Sequence, residues 1–86
     1  MNTQFLLMAQ YQGLAIIPAE RVCADYFAPL TYKKFLEHIA SGKIKLPLVR
    51  MFPDTKSVKG VHLADLAEYI DEMTEAAQKE CHQLHS

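Results

Sequence analysis

A small α+β fold, a winged helix-turn-helix closed by a long C-terminal helix, is what three features of the sequence predict. Two short helical patterns meet across a proline-containing turn. An alternating apolar stretch and a turn-rich loop follow them. A helical stripe then runs to the end of the chain. Half of the 86 residues are apolar, enough for one small domain, 1–86, with a core of limited depth.

The N-terminal segment, residues 1–13, carries the run Phe5-Leu6-Leu7-Met8-Ala9, which fits a short helix or a strand equally well. Gly13 marks a turn, and Leu14-Ala15-Ile16-Ile17 reads as a short strand. The helix-turn-helix spans 18–42. Pro18 suits the first position of a helix, and Glu20 suits its dipole. Val22, Cys23, Tyr26 and Phe27 make one apolar face before Ala28-Pro29 stops the helix. Thr31 can cap a second helix and Gly42 can end it. Tyr32, Phe35, Leu36 and Ile39 form its inner stripe, with Lys33, Lys34, Glu37 and Ser41 opposite.

The wing spans 43–62. Ile44, Leu46 and Leu48 alternate with Lys43, Lys45 and Pro47, the pattern of a half-buried edge strand. "PDTKSVKG" follows as a basic loop before a return strand at Val58 and Val61. The last helix, 63–85, repeats Leu63, Leu66, Ile70, Met73 and Ala77 at alternating spacings of 3 and 4. That stripe outruns a domain of this size, so Leu66, Ile70, Met73 and Ala77 are a candidate oligomer face, with a dimer as its simplest form.

Net charge of −1 conceals a strong polarity. Residues 1–29 sum to −1, residues 30–61 to +5 and residues 62–86 to −5. A local field of that size attracts a polyanion whatever the total charge. Lys33 and Lys34 fall at the start of a helix, the end where the dipole disfavours cations. The cost is offset if they meet phosphates or base edges, because recognition helices present their N-terminal residues to the DNA major groove. Thr31 and Tyr32 can add hydroxyl contacts, and Glu37 can accept from a cytosine amino group. Lys43, Lys45 and Arg50 suit phosphate positioning, with Lys56 and Lys59 reaching out from the wing. The expected partner is double-stranded DNA. So small a contact surface predicts several copies on repeated sites.

Other chemistries find little. The terminal "CHQLH" sets Cys81 and His85 one turn apart with His82 beside them, but no second cluster completes a tetrahedral site. A solvated helix end accounts for them better, so no metal and no cofactor is expected. Cys23 reads as a core thiol. His38 and His62 are isolated, and the three glycines form no phosphate loop. No enzyme is expected. No run approaches the length of a membrane span, and the start lacks the marks of a signal peptide. A cytoplasmic, nucleoid-associated protein is the simplest reading.

"FLLMAQYQGLAIIPAERVCADYF", "LTYKKFLEHIASGKIKLPLVR" and "KGVHLADLAEYID" resemble the pyocin activator (PrtN-type) family of phage-related transcriptional regulators. The resemblance covers nearly the whole chain. More loosely, the order of elements is similar to excisionase and MerR-like winged-helix modules. It implies a regulator at promoters or prophage control regions, with 31–41 as the reading helix and 53–60 as the wing. The family pattern departs in the wing, where "FPDTKSVKG" replaces a Ser-Gln-Lys-like run. Two alternatives stand beside the regulator. One is an excisionase-like architectural factor that bends DNA for phage recombination. The other is a protein-interaction module, whose acidic last helix engages a transcription or recombination protein.

Overall fold

In the computed structural model, which describes residues 2–52 and 58–85, the N-terminal apolar run is a helix, α1 (Thr3–Gln10). Asn2 caps it by accepting a hydrogen bond from the Gln4 amide at 2.8 Å. Leu7 and Tyr11, one turn apart, are both buried. The ambiguity of the run is thus settled by a local cap and one inward face.

The chain turns through Gln12 and Gly13, both at positive φ, into β1 (Ile16–Pro18). This strand starts later than the predicted Leu14, which is exposed, while Ile17 is fully buried. Helix α2 (Ala19–Tyr26) begins immediately after it. Pro18 is therefore the residue before the helix rather than its first member. Glu20 lies in the first turn, and Val22 and Cys23 face inward. A turn through Pro29 and Leu30 leads to α3 (Tyr32–Ala40). The Thr31 hydroxyl oxygen accepts from the Lys34 amide at 3.2 Å, and Gly42 leaves the helix at φ +82. Both caps match the sequence reading.

Residues 43–48 depart from it. Ile44 and Leu46 are buried and Lys43, Lys45 and Pro47 exposed, as the alternation requires, yet this stretch makes no strand. Pro47 has no amide to donate to a ladder. Pairing begins only at β2 (Val49–Arg50), which lies against β3 (Lys59–His62). The predicted wing tip at 53–57, with Lys56, lies outside the described residues.

Strand β3 sits in the middle of an antiparallel sheet of order β1-β3-β2. Gly60 faces Pro18 on one side and Val49 on the other. A Cβ there would overlap Ile16 Cγ2 and stand 3.2 Å from the Ile17 carbonyl oxygen. Gly60→Ala must push β1 away from β3, so we expect a loss of about 1–3 kcal/mol, the usual cost of overpacking. Urea unfolding measures it; an unchanged midpoint would show that β1 yields freely.

Helix α4 (Leu63–His85) starts directly from β3, where the His62 ring nitrogen Nδ1 accepts from the Ala64 amide at 3.1 Å. Its first turns supply Leu63, Leu66 and Ala67 to the core. Leu66 is fully buried there, which takes it out of the candidate oligomer face. Tyr11, Ile17, Val22, Phe35 and Val61 complete the centre, and no buried residue among those described is polar or charged. From Asp71 to His85 every residue is exposed. At 1.5 Å per residue the helix is about 34 Å long, and it accounts for principal extents of 51 × 28 × 20 Å. No described helix is long and apolar enough to cross a membrane.

Candidate nucleic-acid interface

The orientation of α3 is set by one aromatic contact chain. Phe35, fully buried, packs on Phe27 with ring centroids 4.8 Å apart, and Phe27 packs on Tyr69 of α4 at 5.6 Å. Phe27 therefore joins the end of α2 to α3 and α4. The Cys23 thiol of α2, one helical turn before Phe27, donates to the Leu30 carbonyl at 3.5 Å. Burial pushes that thiol's pKa up, with Glu20 adding to the effect. A thiol held protonated is a poor nucleophile, consistent with a core role.

With Phe35 inward, Lys33, Lys34 and Glu37 are exposed. Both lysines stand in the first turn of α3, which carries no acidic residue. Lys34 Nζ lies 3.4 Å from Glu37 Oε2. Of the two, that leaves Lys33 with no carboxylate partner among the described residues. The Thr31 oxygen is occupied as the helix cap, but its O–H remains able to donate outward. Tyr32 belongs to the inner side: it packs against the core, and its pKa is raised by burial and then by Glu20 and Cys23 of α2. Of the residues read as a contact set on α3, the structure brings Thr31, Lys33, Lys34 and Glu37 to the surface and turns Tyr32 toward α2.

Lys43 and Lys45 are exposed on the stretch that leaves α3, anchored by buried Ile44 and Leu46. The hairpin adds something the sequence reading missed. Arg50 of β2 pairs in register with Lys59 of β3. Directly opposed residues of an antiparallel pair share one face of the sheet, and like charges there repel. Neither has an ion-pair partner among the described residues. Only the strand register reveals this juxtaposition, and the eight residues between the strands leave register open in the sequence. Met51, Phe52 and Val58 stand exposed beside them.

The opposite charge is gathered elsewhere. Asp65, Glu68, Asp71, Glu72 and Glu75 of α4, with Asn2 and Gln4 of α1, line an open cleft of about 450 Å³. The Thr3 hydroxyl donates to Asp71 across it. Helix α1 is further tied to α2 by Tyr11, whose hydroxyl donates to Asp25 Oδ2 at 2.7 Å, and by Tyr26, which donates to Gln10 at 2.6 Å. The Arg21 guanidinium lies 4.8 Å from the centre of the Tyr11 ring. Burial first, and the Asp25 hydrogen bond second, hold the Tyr11 hydroxyl protonated far above the usual tyrosine range. Cys81 is a free, exposed thiol, and no group of three or more His, Cys, Asp or Glu among the described residues is placed to hold a metal.

Comparison with known proteins adds one finding to this geometry. The family model described as pyocin activator protein PrtN matches residues 3–77, from the first residue of α1 into the exposed half of α4. Neither a search of curated proteins nor one of solved structures found a match. The matched span takes in all of α1 to β3 and the first fifteen residues of α4, with the cationic turn of α3 and the opposed pair of β2 and β3: the chain belongs to the pyocin activator PrtN family.

Proposed function

We propose that this chain is a DNA-binding transcriptional activator of phage-related genes and works as a winged helix-turn-helix. Helix α3 with its two caps, residues 31–41, enters the major groove. Lys33 and Lys34 meet phosphates or base edges there, and Thr31 donates to the backbone. The paired strands β2 and β3 belong to the wing and lay Arg50 and Lys59 on flanking phosphates, while Lys43 and Lys45 hold the strand between. The observation that carries the reading is the pair of exposed lysines at the positive end of the α3 dipole. The fold offers Lys34 only the exposed Glu37 and gives Lys33 no carboxylate among the described residues, and an external polyanion supplies a partner for both. Family membership favours promoter DNA as that polyanion. Its acidic cleft turns α4 away from the duplex, and the chain acts in the compartment that holds the DNA.

Salt dependence tests the reading. Binding to pyocin or prophage control DNA should weaken steeply as salt rises. With all six cations engaged, the log–log slope is about −5. A slope near zero, or no binding to such DNA at low salt, would overturn it. Measuring bend angle in the same complexes separates a local activator from an excisionase-like architectural factor, which must kink its site.

A further inference from the structure

The exposed half of α4 carries an apolar stripe that the described residues of its own chain leave largely uncovered. Ile70, Met73, Ala77 and Leu84 fall on one stripe by helical spacing. Met73 is 50 % and Leu84 75 % exposed. The carboxylates of Asp71, Glu72 and Glu75 fall on the other side, with Lys79. Where the stripe meets the body of the protein it opens into an apolar groove of about 400 Å³. Tyr26, Phe27, Tyr69, Ile70 and Met73 line it. A free helix of some fifteen residues is marginal in water, so this segment gains most from a second helix laid along it.

We propose that the occupant is a second copy of this chain, its α4 laid antiparallel with Ala77 opposite Ala77. In that register Leu84 of each copy falls opposite Ile70 of the other and seats in its groove. Met73 falls opposite Cys81. The small Ala77 lets the helices approach at the centre. Charge selects the direction. Glu80 is the one acid that interrupts the stripe. In a parallel pair it would face its own copy, two carboxylates side by side. In the antiparallel pair it lies opposite Thr74, whose hydroxyl can donate to it. The remaining acids point outward in both copies and do not oppose the pairing. Two stripes and two filled grooves cover on the order of 1,000 Å², the threshold for a specific interface. The two-fold axis would give two equivalent DNA-reading surfaces, but the pairing itself does not depend on the DNA reading.

Cysteine cross-linking of the free protein tests the register. Cys81 is exposed and Cys23 buried, so oxidation reports on position 81. In the antiparallel pair the two Cys81 residues lie about 12 Å apart along the axis, too far for a disulfide. A cysteine introduced by Met73→Cys would stand against Cys81 of the other copy. Mild copper oxidation should link M73C into dimers at least roughly tenfold faster than the unsubstituted protein, and adding Cys81→Ser should abolish the link. Sedimentation should show dimers of the unsubstituted protein at tens of micromolar and monomers for Leu84→Glu. Monomers in the unsubstituted protein would overturn the proposal, as would Cys81 linking to itself as fast as M73C does.

Discussion

Replacing Lys33 and Lys34 together with alanine is expected to cut affinity for control-region DNA by an order of magnitude or more and to make the salt slope shallower by about 2. Folding should not suffer. Both side chains are exposed at the start of α3, where the dipole opposes a cation by about 0.3–1 kcal/mol. The Lys34–Glu37 pair that would be lost is exposed on both sides and is worth at most about 1 kcal/mol. The two effects nearly cancel, so the melting temperature should stay put or rise slightly. Fluorescence anisotropy at two salt concentrations, with a thermal melt, checks both halves. Unchanged affinity would remove α3 from the DNA, and a collapsed melt would mean these lysines hold the fold.

The opposite signature is expected for Phe35→Ala. The ring is fully buried and closes the contact chain from Phe27 to Tyr69. Truncating such a phenylalanine costs about 3–5 kcal/mol. Natural domains have only about 5–15 kcal/mol in total, and one of 86 residues sits toward the low end. Urea unfolding should shift sharply or lose its cooperative transition. DNA binding should fall as well, because Phe35 is the fully buried anchor that helps hold α3 at its angle to α2. Phe35→Leu, which keeps most of the volume, should recover much of both. A variant that stays fully stable would show that the core closes over the gap.

The elements whose signals are local were readable in advance. Thr31 and Gly42 bounded α3 because a cap and a left-handed stop need only their neighbours in the chain. The α4 stripe was long enough to be unambiguous. The stretch 43–48 misled for a physical reason: alternation reports which side chains are buried, whereas a strand requires a partner within hydrogen-bonding reach. Ile44 and Leu46 are buried as anchors of an extended connection. The placement of β1 beside β3, the tie between Tyr11 and Asp25, and the role of Phe27 join residues far apart in sequence. No periodicity encodes them. The α3 cations were legible as a set, while Tyr32 could be assigned to the inner side only once α2 was in place.

Arg50 and Lys59 give the hairpin a property of a sprung clasp. Two like charges are held face to face by a strand of two residues. As salt is lowered their repulsion grows, since fewer ions screen it. Attraction to a polyanion grows under the same conditions. On the proposed reading, a duplex laid across the pair turns a repulsive contact into two attractive ones. Relief of that repulsion then adds to the free energy of association, and it does so most at low salt.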